Sequence, residues 1–181
     1  MVAKTFVVGL LLAFGLLIQA AAAQTMDVSK DVKEARDTVA VFKKADPGLS
    51  RFFEKSVGYA VFPTVGKGAV GIGGATGSGV VFEKGKAIGK TSLTQVTVGA
   101  QLGAQTYSEI IFFETAPAFT DFKKGTLALA AQASAVAVTK GGSANAKYQN
   151  GVAVFTTSKE GLMFEASVGG QKFGFEPFGK K

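Results

Sequence analysis

The sequence contains no cysteine, no histidine and no tryptophan, and its only arginines are Arg36 and Arg51. Without cysteine or histidine the chain cannot form disulfides, the common zinc sites, a thiol nucleophile or a Ser-His-Asp triad. Its thirteen acidic residues do not cluster as a calcium loop requires, and it contains no Ser-x-x-Lys motif. We therefore predict a protein that is not an enzyme, with no catalytic residues, no metal and no cofactor.

The 181-residue chain has a formal net charge of +7. Charge alone would permit binding either to a nucleic acid or to an anionic membrane surface. Nucleic-acid-binding proteins usually combine clustered basic residues with exposed aromatic residues, and two isolated arginines provide little of this pattern. We therefore expect no nucleic-acid partner.

Residues 1–23 have the pattern of a secretory signal peptide. Lys4 precedes an apolar run over 6–18, and three alanines at 21–23 resemble a cleavage site. The run is shorter than the ~20 apolar residues that a transmembrane anchor needs. The predicted cleavage point has no cysteine, which excludes lipid attachment there. We predict a protein of the bacterial periplasm, peripheral to a membrane if bound to one, in which residues 24–181 form a single domain.

Three stretches have the pattern of helices. Residues 27–45 place their apolar side chains on one stripe, at spacings of three and four residues. These are Val28, Val32, Ala35, Val39 and Phe42. We expect this helix to cover one side of a core, because its polar face mixes both charges, unlike a membrane-surface helix. A short helix is predicted over 47–55 with Asp46 as its cap, and another over 115–124 with Thr115 as its cap.

From Gly58 onward the sequence is typical of β-structure. The segment GYAVFP predicts a strand that stops at Pro63. Residues 95–105 alternate strictly between two faces, which predicts one continuous strand of roughly 36 Å. Residues 109–115 are apolar on both faces, as in a strand that is buried on both sides.

The last part of the chain also predicts strands. Residues 151–168 have the pattern of a hairpin that turns at 158–161. Residues 125–139 fit a helix or a strand, with a strand favoured in the second half. The predicted fold is therefore α+β, with N-terminal helices packed on a long, curved or barrel-like, glycine-rich antiparallel sheet.

The glycines raise the question of a phosphate-binding loop. Gly66, Gly68 and Gly71 spell G-x-G-x-x-G, and residues 85–91 (GKAIGKT) nearly spell a P-loop. A dinucleotide fingerprint must lead into a helix, but strand-like residues follow this one. The P-loop lacks its first glycine, because Lys84 occupies that position. We therefore predict that the glycines make bulges or allow close backbone contacts within the sheet.

Three blocks of the sequence together resemble the SYLF lipid-binding domain over residues 49–170. The first is GYAVFPTVGKGAVGIGGATGSGVVF at 58–82. The second is TVGAQLGAQTYSEIIFF at 97–113, and the third is AVFTTSKEGLMFEASVGG at 153–170. The order and spacing of the blocks carry the resemblance.

The resemblance implies a non-enzymatic domain that binds membrane lipid. Eukaryotic members of the family are associated with phosphoinositides and actin assembly, and bacterial members are exported envelope proteins. This chain begins with a signal-peptide pattern and has EKGKAIGKTSL at 83–93, where relatives often carry a tryptophan-containing segment. We therefore expect neither actin nor a phosphoinositide as its natural partner.

The lipid hypothesis requires cations beside an apolar surface. The predicted lipid-binding residues are Lys67, at the family-like turn, with the cluster Lys84, Lys86 and Lys90. Each lysine near an anionic lipid surface contributes about 1 kcal/mol to binding. Lys123 and Lys124 are a second, weaker candidate. The alternative is an envelope structural or protein-interaction module without specific lipid affinity, in which these lysines are ordinary solvated residues.

Overall fold

A computed structural model describes residues 27–70, 72–98, 103–129, 134–158 and 166–179. The chain forms two units, Met1–Lys33 and Glu34–Lys181. In the first unit the described residues are helical, and the second unit contains the whole described sheet. The predicted signal peptide lies outside the described residues. Within the described ranges no helix has the length and apolar character needed to cross a membrane.

All three predicted helices are present. They are α1 (27–45), α2 (Ser50–Lys55), which follows a 3-10 turn at Pro47–Leu49, and α3 (Ala116–Lys123). Both predicted caps are confirmed. The Asp46 carboxylate accepts a hydrogen bond from the Gly48 amide, and the Thr115 hydroxyl accepts one from the Ala118 amide. These caps satisfy amide groups that have no partner within the helix.

The sheet contains eight described strands. These are β1 (Gly58–Val70), β2 (Ile72–Glu83), β3 (Lys86–Val98), β4 (Gly103–Phe113), β5 (Ser134–Ala137), β6 (Val152–Ser158), β7 (Ala166–Ser167) and β8 (Gln171–Pro177). Their order is β7-β5-β6-β4-β1-β2-β3-β8, and all pairs are antiparallel except β5 with β6. The order has two ends, so the sheet is open. The α+β prediction with a long curved sheet is confirmed.

The prediction that the first strand stops at Pro63 is wrong, because β1 continues to Val70. The pairing of β1 with both neighbouring strands shifts register at this proline, which marks a bulge. Proline lacks an amide hydrogen and is tolerated inside a sheet at such a bulge. The Pro63 carbonyl accepts a 2.7 Å hydrogen bond from the Ser108 hydroxyl. This side-chain bond partly replaces the backbone hydrogen bonds that are interrupted at the bulge.

The single strand predicted over 95–105 is also wrong. Residues 95–98 end β3 and residues 103–105 begin β4. These two strands run in opposite directions, because β3 is antiparallel to β2, β2 to β1, and β1 to β4. The intervening residues 99–102 lie outside the described residues. An alternating pattern records which face each residue occupies, but it carries no signal for a reversal of direction.

The predictions for the later strands are confirmed in part. Residues 109–113 of β4 are fully buried, as expected for a strand covered on both sides, but Glu114 and Thr115 are exposed and lie beyond its end. Strand β5 lies within the ambiguous segment 125–139, in its second half as predicted. Of the predicted hairpin, β6 is present and most of the turn lies outside the described residues. The described part of its second arm, β7, pairs with β5 instead of β6.

One face of the sheet, here called the inner face, carries the main hydrophobic core. Its aromatic centre is Phe62 of β1, Phe113 of β4 and Phe173 of β8, and α3 covers it with Phe119 and Phe122. The ring of Phe122 lies 4.7 Å from that of Phe113 and 5.1 Å from that of Phe173. Helix α3 therefore bridges strands that are four steps apart in the sheet order.

The opposite face is covered by α2. Phe52 packs on Phe112 and Phe155 with ring centroids 5.5 and 4.8 Å apart, and Phe53 packs on Phe112 at 4.8 Å. The interpretation of the glycines as sheet residues is confirmed where they are described. Gly66 and Gly68 lie within β1, and a strand rather than a helix follows them.

Candidate functional site

The antiparallel register gathers several chain segments at one end of the sheet. Gly58, at the start of β1, pairs with Glu83 at the end of β2 and with Phe113 at the end of β4. The β2–β3 turn, the end of α2 and the beginning of α3 therefore lie at this same end. We call it the basic end because it carries Lys84, Lys86 and Lys123.

Two of the four predicted lysines lie together at the β2–β3 turn. Lys84 and Gly85 form the tip of the turn with φ of 49° and 76°, and Glu83 pairs with Lys86 across it. Positive φ at both central residues is typical of the two-residue turns whose twist matches that of the strands they join. Lys84 and Lys86 are both exposed, so the turn presents two cations to the solvent.

Helix α3 places the second candidate pair beside this turn. The Lys123 ammonium lies 3.9 Å from the Glu83 carboxylate and 4.3 Å from the centre of the Phe119 ring. Lys124 follows directly at the end of the helix. The structure thus joins the two lysine groups that the sequence separates by more than thirty residues.

A groove of about 380 Å³ lies at the α2 side of the basic end. Its lining residues are Arg51, Phe52, Lys55, Glu114, Ala146, Lys147 and Tyr148. The Arg51 guanidinium donates hydrogen bonds to the carbonyls of Ser143, Ala144 and Ala146, which fixes one wall. Lys55 and Lys147 stand beside two aromatic rings whose centroids are 5.3 Å apart, those of Phe52 and Tyr148. A groove of this kind can hold an anionic group between its lysines, beside two aromatic rings.

Charges of both signs line the groove. Burial raises the pKa of Tyr148 to about 12, and the nearby negative charge of Glu114 adds to this effect while Arg51 opposes it. Sequence reasoning missed Lys55 and Lys147, because 92 residues separate them and no local pattern links them. Only the pairing of β4 with β1 and β6 brings their segments together.

The other two predicted lysines lie elsewhere. Lys90 is half-buried on β3, opposite Glu176 of β8, and about 13 Å along the strand from Lys86. Lys67 is half-buried on β1, in register with Ala75 and through it with Gln95. Nine residues of β3 separate that position from Lys86, or roughly 30 Å. The structure therefore unites Lys84 and Lys86 and leaves Lys67 at the far half of the sheet.

Seven described cations lie on the segments that form the basic end. They are Arg51, Lys55, Lys84, Lys86, Lys123, Lys124 and Lys147. The acidic residues of the same segments are Glu54, Glu83, Glu114 and Asp121. This leaves an excess of three positive charges. Across the described ranges, no three acidic side chains converge as metal ligands would.

Comparison with known proteins finds two similarities. Residues 94–176 match a family model named Ysc84, with the description Las17-binding protein actin regulator. Over 156 residues the chain is 28% identical to Beta cell expansion factor A of Aeromonas veronii. That alignment covers 80% of this chain and 58% of the relative, so the chain spans less than two thirds of the relative's length.

Proposed function

We propose an exported, non-enzymatic, lipid-binding function for this chain, because residues 94–176 match the Ysc84 family model and the sequence resembles the SYLF domain. In this proposal the basic end of the sheet binds the headgroups of anionic phospholipids. The observation that carries it is the joining of Lys84, Lys86 and Lys123 at one end of the sheet. The family is generally non-enzymatic, which supports a binding role.

The size of the charge excess sets the expected strength of binding. With about 1 kcal/mol for each basic residue near an anionic surface, three excess charges contribute about 3 kcal/mol. This corresponds to a preference for anionic over neutral vesicles on the order of 100-fold. Such binding is reversible and peripheral, and it weakens as salt screens the exposed charges.

The four predicted lysines have different places in this proposal. Lys84 and Lys86 contact the membrane surface directly, and Lys90 lies close enough to contribute from the side of β3. Lys67 contributes little, because a membrane surface that meets the β2–β3 turn lies roughly 30 Å away from it. The groove between Lys55 and Lys147 binds the headgroup of a phospholipid that projects out of the membrane surface.

Export is proposed from the signal-peptide pattern of residues 1–23. An exported protein does not meet actin, so the actin role in the family description is not part of this proposal. The proposed partner is anionic phospholipid of the bacterial envelope.

Vesicle co-sedimentation tests the proposal. The purified protein is mixed with phosphatidylcholine vesicles, or with vesicles that also contain phosphatidylglycerol or cardiolipin, at low and at physiological salt. We expect selective sedimentation with the anionic vesicles that weakens but persists at physiological salt. Absence of sedimentation at low salt would refute lipid binding and favour the alternative, an envelope protein-interaction module that retains a protein partner in pull-downs.

Charge-neutralising variants locate the binding surface. The double variant K84Q/K86Q removes two charges from the turn, and we expect its affinity for anionic vesicles to fall about 25-fold. K172Q is the matched control, since Lys172 is exposed on β8 opposite Thr94, at the far half of the sheet. K67Q should behave like this control. Equal losses in K86Q and K172Q would show that net charge, rather than the basic end, governs binding.

A further inference from the structure

Four polar side chains meet on the inner face of the sheet. Tyr107 and Glu109 point to the same side of β4, and Thr156 stands directly opposite Glu109 in the ladder between β4 and β6. From the far edge of the sheet, Gln171 of β8 donates a 3.0 Å hydrogen bond from its Nε2 to Glu109 Oε2. Each of the four side chains is at most 1% exposed.

Every one of these residues retains a buried oxygen that has no hydrogen-bond partner among the described residues. The atoms are Tyr107 Oη, Glu109 Oε1, Thr156 Oγ1 and Gln171 Oε1. Buried polar atoms in folded proteins nearly always have a partner, so four orphaned atoms in one cluster indicate a group that the protein chain does not supply. All four atoms are oxygens that can accept a hydrogen bond, and the hydroxyls of Tyr107 and Thr156 can also donate one.

The described surroundings offer Glu109 little charge compensation. Tyr107 is the other titratable group of the cluster, and Lys67 of β1 lies on the same face, two residues beyond the buried Val65. The inward residues of β3, β6 and β8 beside the cluster are uncharged, and α3 presents Phe119 and Phe122 to this face. Burial raises the pKa of Glu109 to about 8, and the hydrogen bond from Gln171 only partly opposes it.

We propose that this cluster is a binding site for a small molecule that carries a primary ammonium group. An ammonium group has three N–H donors and no acceptor, which complements a set of unpaired oxygens. Its charge also neutralises the carboxylate of Glu109, since buried charges are stable when they are paired. A water molecule would satisfy some of the oxygens, but it would bring no charge. Lys67, on the same face of β1, is only half-buried.

Three related small molecules distinguish binding of an ammonium group from binding of a cation without N–H groups and from binding of hydroxyl groups. Ethanolamine carries the ammonium group, choline carries the same charge without N–H donors, and ethylene glycol carries hydroxyls without charge. Each is titrated into the isotope-labelled protein while NMR follows the side-chain amide of Gln171 and the ring of Tyr107. We expect saturable shifts with ethanolamine and at least tenfold weaker binding of choline and ethylene glycol. Equal affinity for all three, or no saturable shift with ethanolamine, would overturn the proposal.

The pH dependence supplies a second, independent readout. In the unliganded protein Glu109 holds a proton at neutral pH, and a bound ammonium group displaces it. The dissociation constant of ethanolamine should therefore fall about tenfold for each unit of pH from 6 towards 8. A dissociation constant that is independent of pH over this range would contradict an ammonium paired with Glu109.

Variants complete the test. Glu109→Gln keeps the shape of the protonated acid but removes the ionisable group, so ethanolamine affinity should fall at least tenfold and lose its pH dependence. Glu34→Gln, a change at an exposed carboxylate of α1, should leave both unchanged. If Glu109→Gln does not fold, Thr156→Val removes one oxygen at nearly constant volume and should weaken binding several-fold. Unaltered ethanolamine binding in the folded Glu109→Gln or Thr156→Val variant would refute the site.

Discussion

The side chains of Gln171 and Glu109 share a 3.0 Å hydrogen bond although β8 and β4 are four steps apart in the sheet. With strands about 4.8 Å apart, a flat sheet would separate their backbones by about 19 Å. Phe62 and Phe173, from strands three steps apart, also approach to 6.2 Å between ring centroids. The sheet therefore curls around its inner face and encloses a carboxyl group that belongs to a central strand.

This enclosure predicts that the protein loses stability as pH rises. Burial raises the pKa of Glu109 to about 8 in the folded state, whereas the unfolded chain has the ordinary value of 4.5. Between these values the folded state holds a proton that the unfolded state has released. The contribution of Glu109 to the free energy of unfolding should thus decrease with pH, with a limiting slope of about 1.4 kcal/mol per unit. Urea unfolding at several pH values between 5 and 8 measures it.

Two variants separate Glu109 from other groups that titrate. Glu109→Gln should remove most of the slope over this range, because the amide does not ionise. Glu114→Gln alters an exposed carboxyl group and should retain the slope of the parent protein. The same slope in the parent protein and in Glu109→Gln would show that Glu109 does not carry the buried proton.

The sequence predicts those features of the fold that depend on neighbouring residues. Helix α1 follows from an apolar stripe. The N-caps Asp46 and Thr115 stand directly before the helical segments whose first turns they cap. In each case the physical cause lies within one or two helical turns. The burial of residues 110–113 follows in the same way from consecutive apolar residues.

Features that depend on strand pairing could not be predicted. The pattern of residues 95–105 is the same whether the chain continues or reverses, so it predicts one strand where the structure has parts of two. Likewise Lys55 and Lys147 come to line one groove through the pairing of β1, β4 and β6, and Glu109 meets Gln171 through the curl of the sheet. A single carboxylate within an apolar strand is nevertheless a signal of a buried polar site.

Asp46 joins two segments that are nearly a hundred residues apart, and its removal should be costly. Its carboxylate accepts a 3.0 Å hydrogen bond from the Gly48 amide and a 2.7 Å bond from the buried Ser143 amide. Burial alone would raise the pKa of Asp46, but the hydrogen bonds from Ser143 and Gly48 lower it overall. Asp46→Ala leaves both amides without this partner, and we expect a loss of about 2–4 kcal/mol in the free energy of unfolding.

Chemical denaturation measures this loss, with Thr115→Ala as the comparison. Thr115 accepts a single bond at the start of α3, so its loss should be about 1 kcal/mol. Because the folded-state pKa of Asp46 is lowered, its contribution is complete at neutral pH and disappears as the pH falls below the ordinary value of 3.8. Equal effects of the two substitutions would mean that the bond to Ser143 adds nothing.

Gly79 faces the β1 bulge and should not tolerate a side chain. The β1–β2 register passes from Val61↔Val80 to Thr64↔Ser78, which places Gly79 opposite the bulged residues. A Cβ atom at Gly79 would lie 2.2 Å from the Val61 carbonyl oxygen. Because a strand backbone cannot move away as a flexible side chain can, Gly79→Ala should destabilise the protein by about 1–3 kcal/mol.

Gly66 provides the matched control for this substitution. It lies in β1 and is exposed, and a Cβ atom there would have no neighbour within 4 Å. Gly66→Ala should therefore change stability by no more than about 0.5 kcal/mol. Thermal unfolding of the two variants is followed by circular dichroism. It shows whether glycine is required at position 79 because of its close neighbours or because these strands favour glycine in general. Similar losses in both variants would favour the general preference.

Phe122 attaches α3 to the inner face and should be among the most sensitive core positions. Its fully buried ring contacts Phe113 of β4 and Phe173 of β8. Phe122→Ala leaves a cavity between a helix and two distant strands, and we expect a loss of about 3–5 kcal/mol in the free energy of unfolding. The same change at the half-buried Phe178 should cost clearly less, because solvent can occupy the vacated space. Urea denaturation of both variants tests whether α3 is required to hold the curled sheet together, and equal losses would show that it is not.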